Sequence, residues 1–381
     1  MQGFDSRLGA TTCQEVVATS VNWSGGRAPL RALVDPAGGA SGLDYLVTPI
    51  RSLADRVGRS MNQMGGLSMT RTTIFLTDLP SPGEAAAATL IGDECQVVFY
   101  VPGASFNYDE LMFVLAHELF HCISSVSFRR SYTHSSAKWW SEGAAEYFAH
   151  LAYPGTALSD PEVAEFDAHS ATRPLWQFNY ASVPFFFWLG QTQRPPAVSS
   201  FLRGMATTEG PAAELEALRS RVSSEQWRQF GQAYLDRRIV QPGGRRMASN
   251  PRAGETVRFT GSATRRVRSD PFVLHRETFV FARGKQYDLV QNEIAPGLAV
   301  DFSRDAGSWQ APPATVPACN QDVRYRVLAT TTERDGRAVY EIKHRPERDP
   351  CCIVGAWQAT ADNLRRAPQV MNAAVPTKPD F

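Results

Sequence analysis

Three ionisable side chains, His117, Glu118 and His121, stand in a stretch that is otherwise uncharged and mostly apolar: Leu111, Phe113, Val114, Leu115, Leu119, Phe120 and Ile123. No other feature limits the fold of this chain as much. The periodicity over 108–124 predicts a helix, with Asn107 or Asp109 placed to cap it. On a helix, positions four apart share a face, so both imidazoles project to one side. A solvated helix would not set such groups among so many apolar neighbours. Buried ionisable groups need partners, and a divalent cation held by both histidines supplies one. A core histidine pair satisfied by hydrogen bonds is the other reading. Glu118 lies one residue round from His117, beside a metal rather than on it, where it can take a proton from water.

A catalytic zinc needs three protein ligands and an open position. The segment Trp140-Ser141-Glu142-Gly143-Ala144-Ala145-Glu146-Tyr147 follows on a second predicted helix, 136–151. The stretch between is long enough for the first helix to end and the second to turn back. Glu142 and Glu146 are four apart and share a face. Gly143 and Ala144 would let helices pack closely.

Together, His117-Glu118-Leu119-Phe120-His121 and the Glu142 segment resemble the gluzincin branch of zinc metallopeptidases, which includes the thermolysin-like and aminopeptidase N-like families. The resemblance covers residues 70–240. It implies an α+β, zincin-like domain: a sheet packed on two zinc-binding helices, then a helical subdomain. It also implies that Glu142 is the third ligand and that Glu146 supports the first zinc histidine; the swapped roles are the alternative. Ser141 stands where Asn is common. The family's edge strand, just before the first zinc helix, pairs with extended peptide substrate. Residues 96–101 sit there, which makes Val97, Val98 and Phe99 substrate-binding candidates; an ordinary internal strand is the other reading.

Such enzymes carry a Tyr or His that stabilises the oxyanion. The aminopeptidase N-like tyrosine would fall at Phe185, which has no hydroxyl. Tyr180, one turn earlier, is the candidate, with Tyr132, His134 and His169 behind it. No Gly-x-Met-Glu-Asn motif precedes the zinc helix, which argues against an aminopeptidase of that type and leaves an endopeptidase. The resemblance therefore implies a zinc-dependent endopeptidase with one Zn2+ per chain, Glu118 as general base, and a peptide or protein substrate. The alternatives are a zinc hydrolase of a non-peptide amide or ester, and a non-catalytic binding protein with a metallopeptidase-like fold. Glu118 counts against the last, since a binding protein needs no base beside the metal.

The remaining chain sets the frame. The metallopeptidase-like region is expected over 1–245. Pro242-Gly243-Gly244 and Asn250-Pro251 mark a linker. Short alternating segments then run at 256–260, 272–281, 286–290, 298–302, 323–330, 338–342 and 353–358, predicting a β-sandwich or barrel over 246–365. A flexible tail is expected over 366–381. Residues 1–42 show little periodicity. The net charge is +1, from 39 basic and 38 acidic residues, so nothing favours nucleic acid or an anionic membrane. No apolar run approaches the ~18 residues of a membrane span. No signal peptide is visible over 1–12. Six cysteines suggest disulfides and a secreted or periplasmic location; six reduced thiols in a cytosolic enzyme is the other reading. The expected states are a free buried Cys122, Cys13 paired with Cys95, and Cys319 paired with Cys351 or Cys352.

Overall fold

The computed structural model describes residues 13–34, 45–77, 86–100, 107–128, 138–205, 210–333 and 336–345. Its first sheet begins with a hairpin, β1 (Gln14–Trp23) and β2 (Gly26–Val34). Helix α1 (Val47–Met64) leads to β3 (Arg71–Thr77), and β4 (Ala86–Ile91) and β5 (Glu94–Tyr100) form a second hairpin. The order is β1-β2-β3-β5-β4. β2, β3 and β5 run parallel, and both outer strands are antiparallel to their neighbours. Leu30, Ala32, Ile74, Leu76, Val97 and Phe99 are buried, whereas their alternates Arg31, Phe75 and Val98 are half-buried. This is the period-two pattern of a sheet with one face in a core. The apolar stripe of α1, from Ile50 through Leu53 and Val57 to Met61, belongs to the same core.

The helical part follows: α2 (Tyr108–Ser127), α3 (Lys138–Ala152), α4 (Asp160–His169), a short turn at Tyr180–Ser182, α5 (Val183–Gln193), α6 (Pro195–Leu202), α7 (Pro211–Arg221) and α8 (Ser224–Leu235). A capping box fixes the start of α2. The Glu110 amide donates to Asn107 Oδ1 at 3.0 Å, and the Asn107 amide donates to Glu110 Oε2 at 3.1 Å. α2 packs on β4, β5 and α3.

A sandwich with its own core closes the described chain. One sheet has the order β11 (Trp309–Gln310), β10 (Ala299–Arg304), β13 (Val323–Thr330), β8 (His275–Phe281), β6 (Glu255–Phe259). The other has β12 (Thr315–Ala318), β9 (Lys285–Ile294), β14 (Gly336–His344), β7 (Ala263–Ser269). Phe279, Phe281 and Phe302 from the first sheet meet Tyr287, Tyr340 and Ile342 from the second. Phe272, Leu274 and Leu328 instead join the core of the helical part. The molecule is thus α+β. Among the described residues no helix is long and apolar enough to cross a membrane.

Several expectations change. The N-terminal region holds the β1–β2 hairpin, hidden in sequence because Thr19 and Ser20 interrupt the apolar alternation between the buried Val17 and Val21. The Ala-rich β4 and the Arg-rich β7 also form strands. β5, which carries Val97, Val98 and Phe99, is not an edge: it is hydrogen-bonded to β3 on one side and β4 on the other. Its backbone has no free side for a peptide, and Val97 and Phe99 are core residues. The edge is β4. Cys122 is not a free thiol, and Cys95 does not pair with Cys13. Cys95 and Cys122 form a disulfide with a Cα–Cα distance of 5.7 Å, and Cys13 is free. Cys319 is disulfide-bonded; Cys351 and Cys352, the expected segment 353–358 and the expected tail lie outside the described residues.

Candidate metal centre

α2 and α3 bring three donors to one point. His117 Nε2 lies 3.1 Å from Glu142 Oε2 and 3.1 Å from His121 Nε2. His121 Nε2 lies 3.3 Å from Glu142 Oε2. With ligand bonds of about 2.0–2.1 Å, the corners of a tetrahedral zinc site are about 3.3 Å apart. The three atoms therefore form one face of such a tetrahedron, with the fourth corner left over. This group can hold a metal ion. The neutral-nitrogen and carboxylate donor set suits zinc.

Burial explains how the group is held. Desolvation pulls the His117 imidazolium down, but acceptance of its protons by Glu142 and Glu146 and the charges of Glu146 and Glu118 outweigh it, pushing its pKa up to about 10. Burial raises the Glu142 carboxyl, yet His117 and His121 hold it well below the usual carboxylate range. In the metal-free protein, a proton on His117 thus does part of the work of a cation.

Glu146 is not among the three converging donors. It lies behind His117, its Oε1 3.2 Å from Nδ1. The contact is an ion pair without hydrogen-bond alignment, yet a carboxylate beside Nδ1 favours the proton on that nitrogen and leaves the Nε2 lone pair for a metal. Ser159 donates its hydroxyl to the other oxygen, Oε2. Its one proton is then used, so His150 Nε2, 2.8 Å away, must donate to Ser159 Oγ. The His150 ring stands edge-on between Phe113 and Phe187, with centroids 4.9 and 5.0 Å away. Ser159 and His150 are both fully buried. Burial lowers the His150 pKa to about 4, with Glu146 opposing, so the ring is neutral at pH 7.

Glu118 occupies the next position on α2, at 9% exposure, and is not among the three converging donors. The Tyr180 ring stacks on His117 at 5.5 Å between centroids, tilted 29°, while 43% exposed. Phe185 is enclosed by the rings of Phe186, Trp188, Phe201 and Phe230. His169 ends α4 on the surface. Tyr132 and His134 lie outside the described residues. Gly143 serves close packing against the Tyr180 segment rather than against α2: a Cβ there would meet Ser182 Oγ at 2.1 Å and the Phe186 ring at 2.8 Å.

Glu162, on the first turn of α4, also bears on the site. Burial pushes its carboxyl up to about 7, and the Glu146 charge adds to this. Sequence reasoning missed Glu162 and Ser159, because only the placing of the start of α4 brings them near Glu146, and it missed His150, although that residue follows Glu146 by one turn of α3. No known protein-family model matches this chain, and no curated protein is similar to it.

Proposed function

We propose that the protein is a zinc-dependent metallopeptidase of zincin-like architecture, acting as an endopeptidase. The observation that carries this reading is the triangle of His117 Nε2, His121 Nε2 and Glu142 Oε2 at 3.1–3.3 Å with Glu118 beside it. A zinc ion held there supplies Lewis acidity and an activated water. Glu118 takes a proton from the attacking water and returns it to the leaving amine. Glu146 keeps His117 in the ligating tautomer. Tyr180, stacked on His117, is the candidate to steady the developing oxyanion. β4, which among the described residues is paired on one side only, is the antiparallel outer strand beside α2 on which an extended peptide would pair. Its side chains are small, Ala86-Ala87-Ala88, and obstruct such pairing little. The Cys95–Cys122 disulfide favours a secreted or periplasmic location.

Glu118→Gln is the test. The variant should keep its zinc by elemental analysis and lose about 10²–10⁴-fold in casein or peptide-library cleavage. Equal cleavage by wild type and variant, or wild-type protein that binds no zinc, would refute the reading. A zinc-loaded wild type that cleaves esters or non-peptide amides, but no peptide, points to the other class of hydrolase.

A further inference from the structure

Where the helical part meets the sandwich, a cavity of about 560 Å³ opens between the end of α8 and strands β8 and β13. That is the size of a small-molecule site. Arg237, Arg238, Arg252, Arg276 and Arg326 line it, against two carboxylates, Asp236 and Glu277. Both carboxylates are already engaged. Asp236 accepts from Arg326 Nη2 at 2.8 Å and from the Trp309 indole at 3.1 Å. Glu277 accepts from Arg265 at 3.0 and 2.8 Å and faces His275 at 3.0 Å. Arg276 is committed to α4, donating to the Asp167 carbonyl and to Ser170 Oγ, each at 3.0 Å.

Three guanidinium groups remain under-compensated. Arg237 donates to Asn250, a neutral acceptor. Arg238 reaches Asp236 only at 3.4 Å and is 62% exposed. Arg252 has no carboxylate partner among the described residues. Arg326 adds a buried Nε without an acceptor. The left-handed turn at Arg237, φ 54°, ends α8 with the Arg238 amide donating to the Ala233 carbonyl, and this turn aims both arginines at the cavity rim.

We propose that this cavity binds a small organic anion, a carboxylate- or phosphate-bearing molecule seated between Arg238, Arg252 and Arg326. Planar guanidinium forks match both headgroups with paired hydrogen bonds. The site is separate from the metal centre and does not depend on the reading of that centre.

Calorimetric titration of the full chain tests it, with inorganic phosphate in one arm and succinate in the other. Each arm is compared with sodium chloride at equal ionic strength. One of the two anions should bind saturably, and which one does identifies the headgroup. Arg252→Gln should weaken that binding about tenfold, and Arg238→Ala combined with Arg252→Ala further. Arg266→Ala with Arg268→Ala, exposed on β7, should leave it unchanged, as should His121→Ala. The proposal is overturned if neither anion binds above the chloride blank, or if Arg252→Gln and the double variant both bind like wild type. Loss of binding in His121→Ala would assign the anion to the metal centre and overturn it equally.

Discussion

Glu142 and Glu146 occupy one face of α3, four residues apart, and the direction each carboxylate takes separates their roles. Glu142 meets both imidazoles at Nε2, whereas Glu146 meets one of them from behind, at Nδ1. Removing the first deletes a donor; removing the second frees a histidine to turn. Glu142→Ala should therefore abolish stoichiometric zinc, and Glu146→Ala should weaken zinc binding about 10–100-fold, measured by competition with a chromophoric chelator. Similar losses in both variants would contradict the assignment. His150 gives a prediction in pH. Its folded pKa of about 4 lies below the ordinary 6.5, so acid favours the unfolded chain. The stability it contributes is complete above pH 6.5 and lost as the pH falls towards 4, up to about 3 kcal/mol. Urea titrations of metal-free wild type and His150→Phe should diverge across that window; parallel pH profiles would show that His150 is not held neutral. His117, Glu118 and His121 were legible in sequence because helix spacing is local information. Ser159 was not: it lies nine residues from His150 and thirteen from Glu146, beyond the end of the α3 helix that carries those two.

At the scale of elements, the decisive contact is between α2 and β5. The Cys95–Cys122 disulfide closes a separation of 27 residues and joins the metal-binding helix to the interior of the sheet. Cys122 directly follows His121, so the bridge fixes both the helix and the backbone of that histidine. Cys95→Ser with Cys122→Ser should lower unfolding free energy by about 3 kcal/mol, read by urea denaturation. Zinc affinity should fall with it; unchanged affinity would show that α2 is held by packing alone. The sequence could not give this pairing. An apolar helix position suits a free cysteine as well as a bridged one, and which strand lies beneath α2 is set by sheet order. Sheet order also misplaced the substrate strand. β5 and an edge strand share the same alternation, and the true edge, β4, is an alanine run with weak strand character. Strand existence can be read locally, whereas strand neighbours cannot.

Across the whole molecule, the sandwich is joined to the helical part by apolar burial and by specific ion pairs. Phe272, Leu274 and Leu328 lie in the first core. Arg228 on α8 grips Asp301 on β10 with Nε and Nη2, at 2.7 and 2.8 Å, while Gln232 adds a third bond at 3.1 Å. Asp301 is buried, so Arg228→Ala would strand a carboxylate at the junction, at a cost of about 1–3 kcal/mol. Calorimetry should then show one broad or two separate unfolding transitions where wild type shows one. A single sharp transition in the variant would mean that the apolar contacts alone couple the two parts. The change in composition near residue 241 made the second region visible in sequence, but its attachment was not, because the residues that seat it are scattered along β8, β10 and β13.

The position of Cys122 has a consequence for how the protein is assembled. A chain whose cysteines are still reduced presents a thiolate one residue from His121, and thiolate is a stronger zinc donor than imidazole or carboxylate. Metal offered at that stage would be drawn to sulfur and could hold α2 away from the sheet. Once Cys95 and Cys122 have joined, the sulfur is turned towards β5 and the converging donors are nitrogen and oxygen alone. On the zinc reading proposed above, oxidation would come before metallation, and chains given zinc under reducing conditions should yield less correctly loaded protein than chains oxidised first.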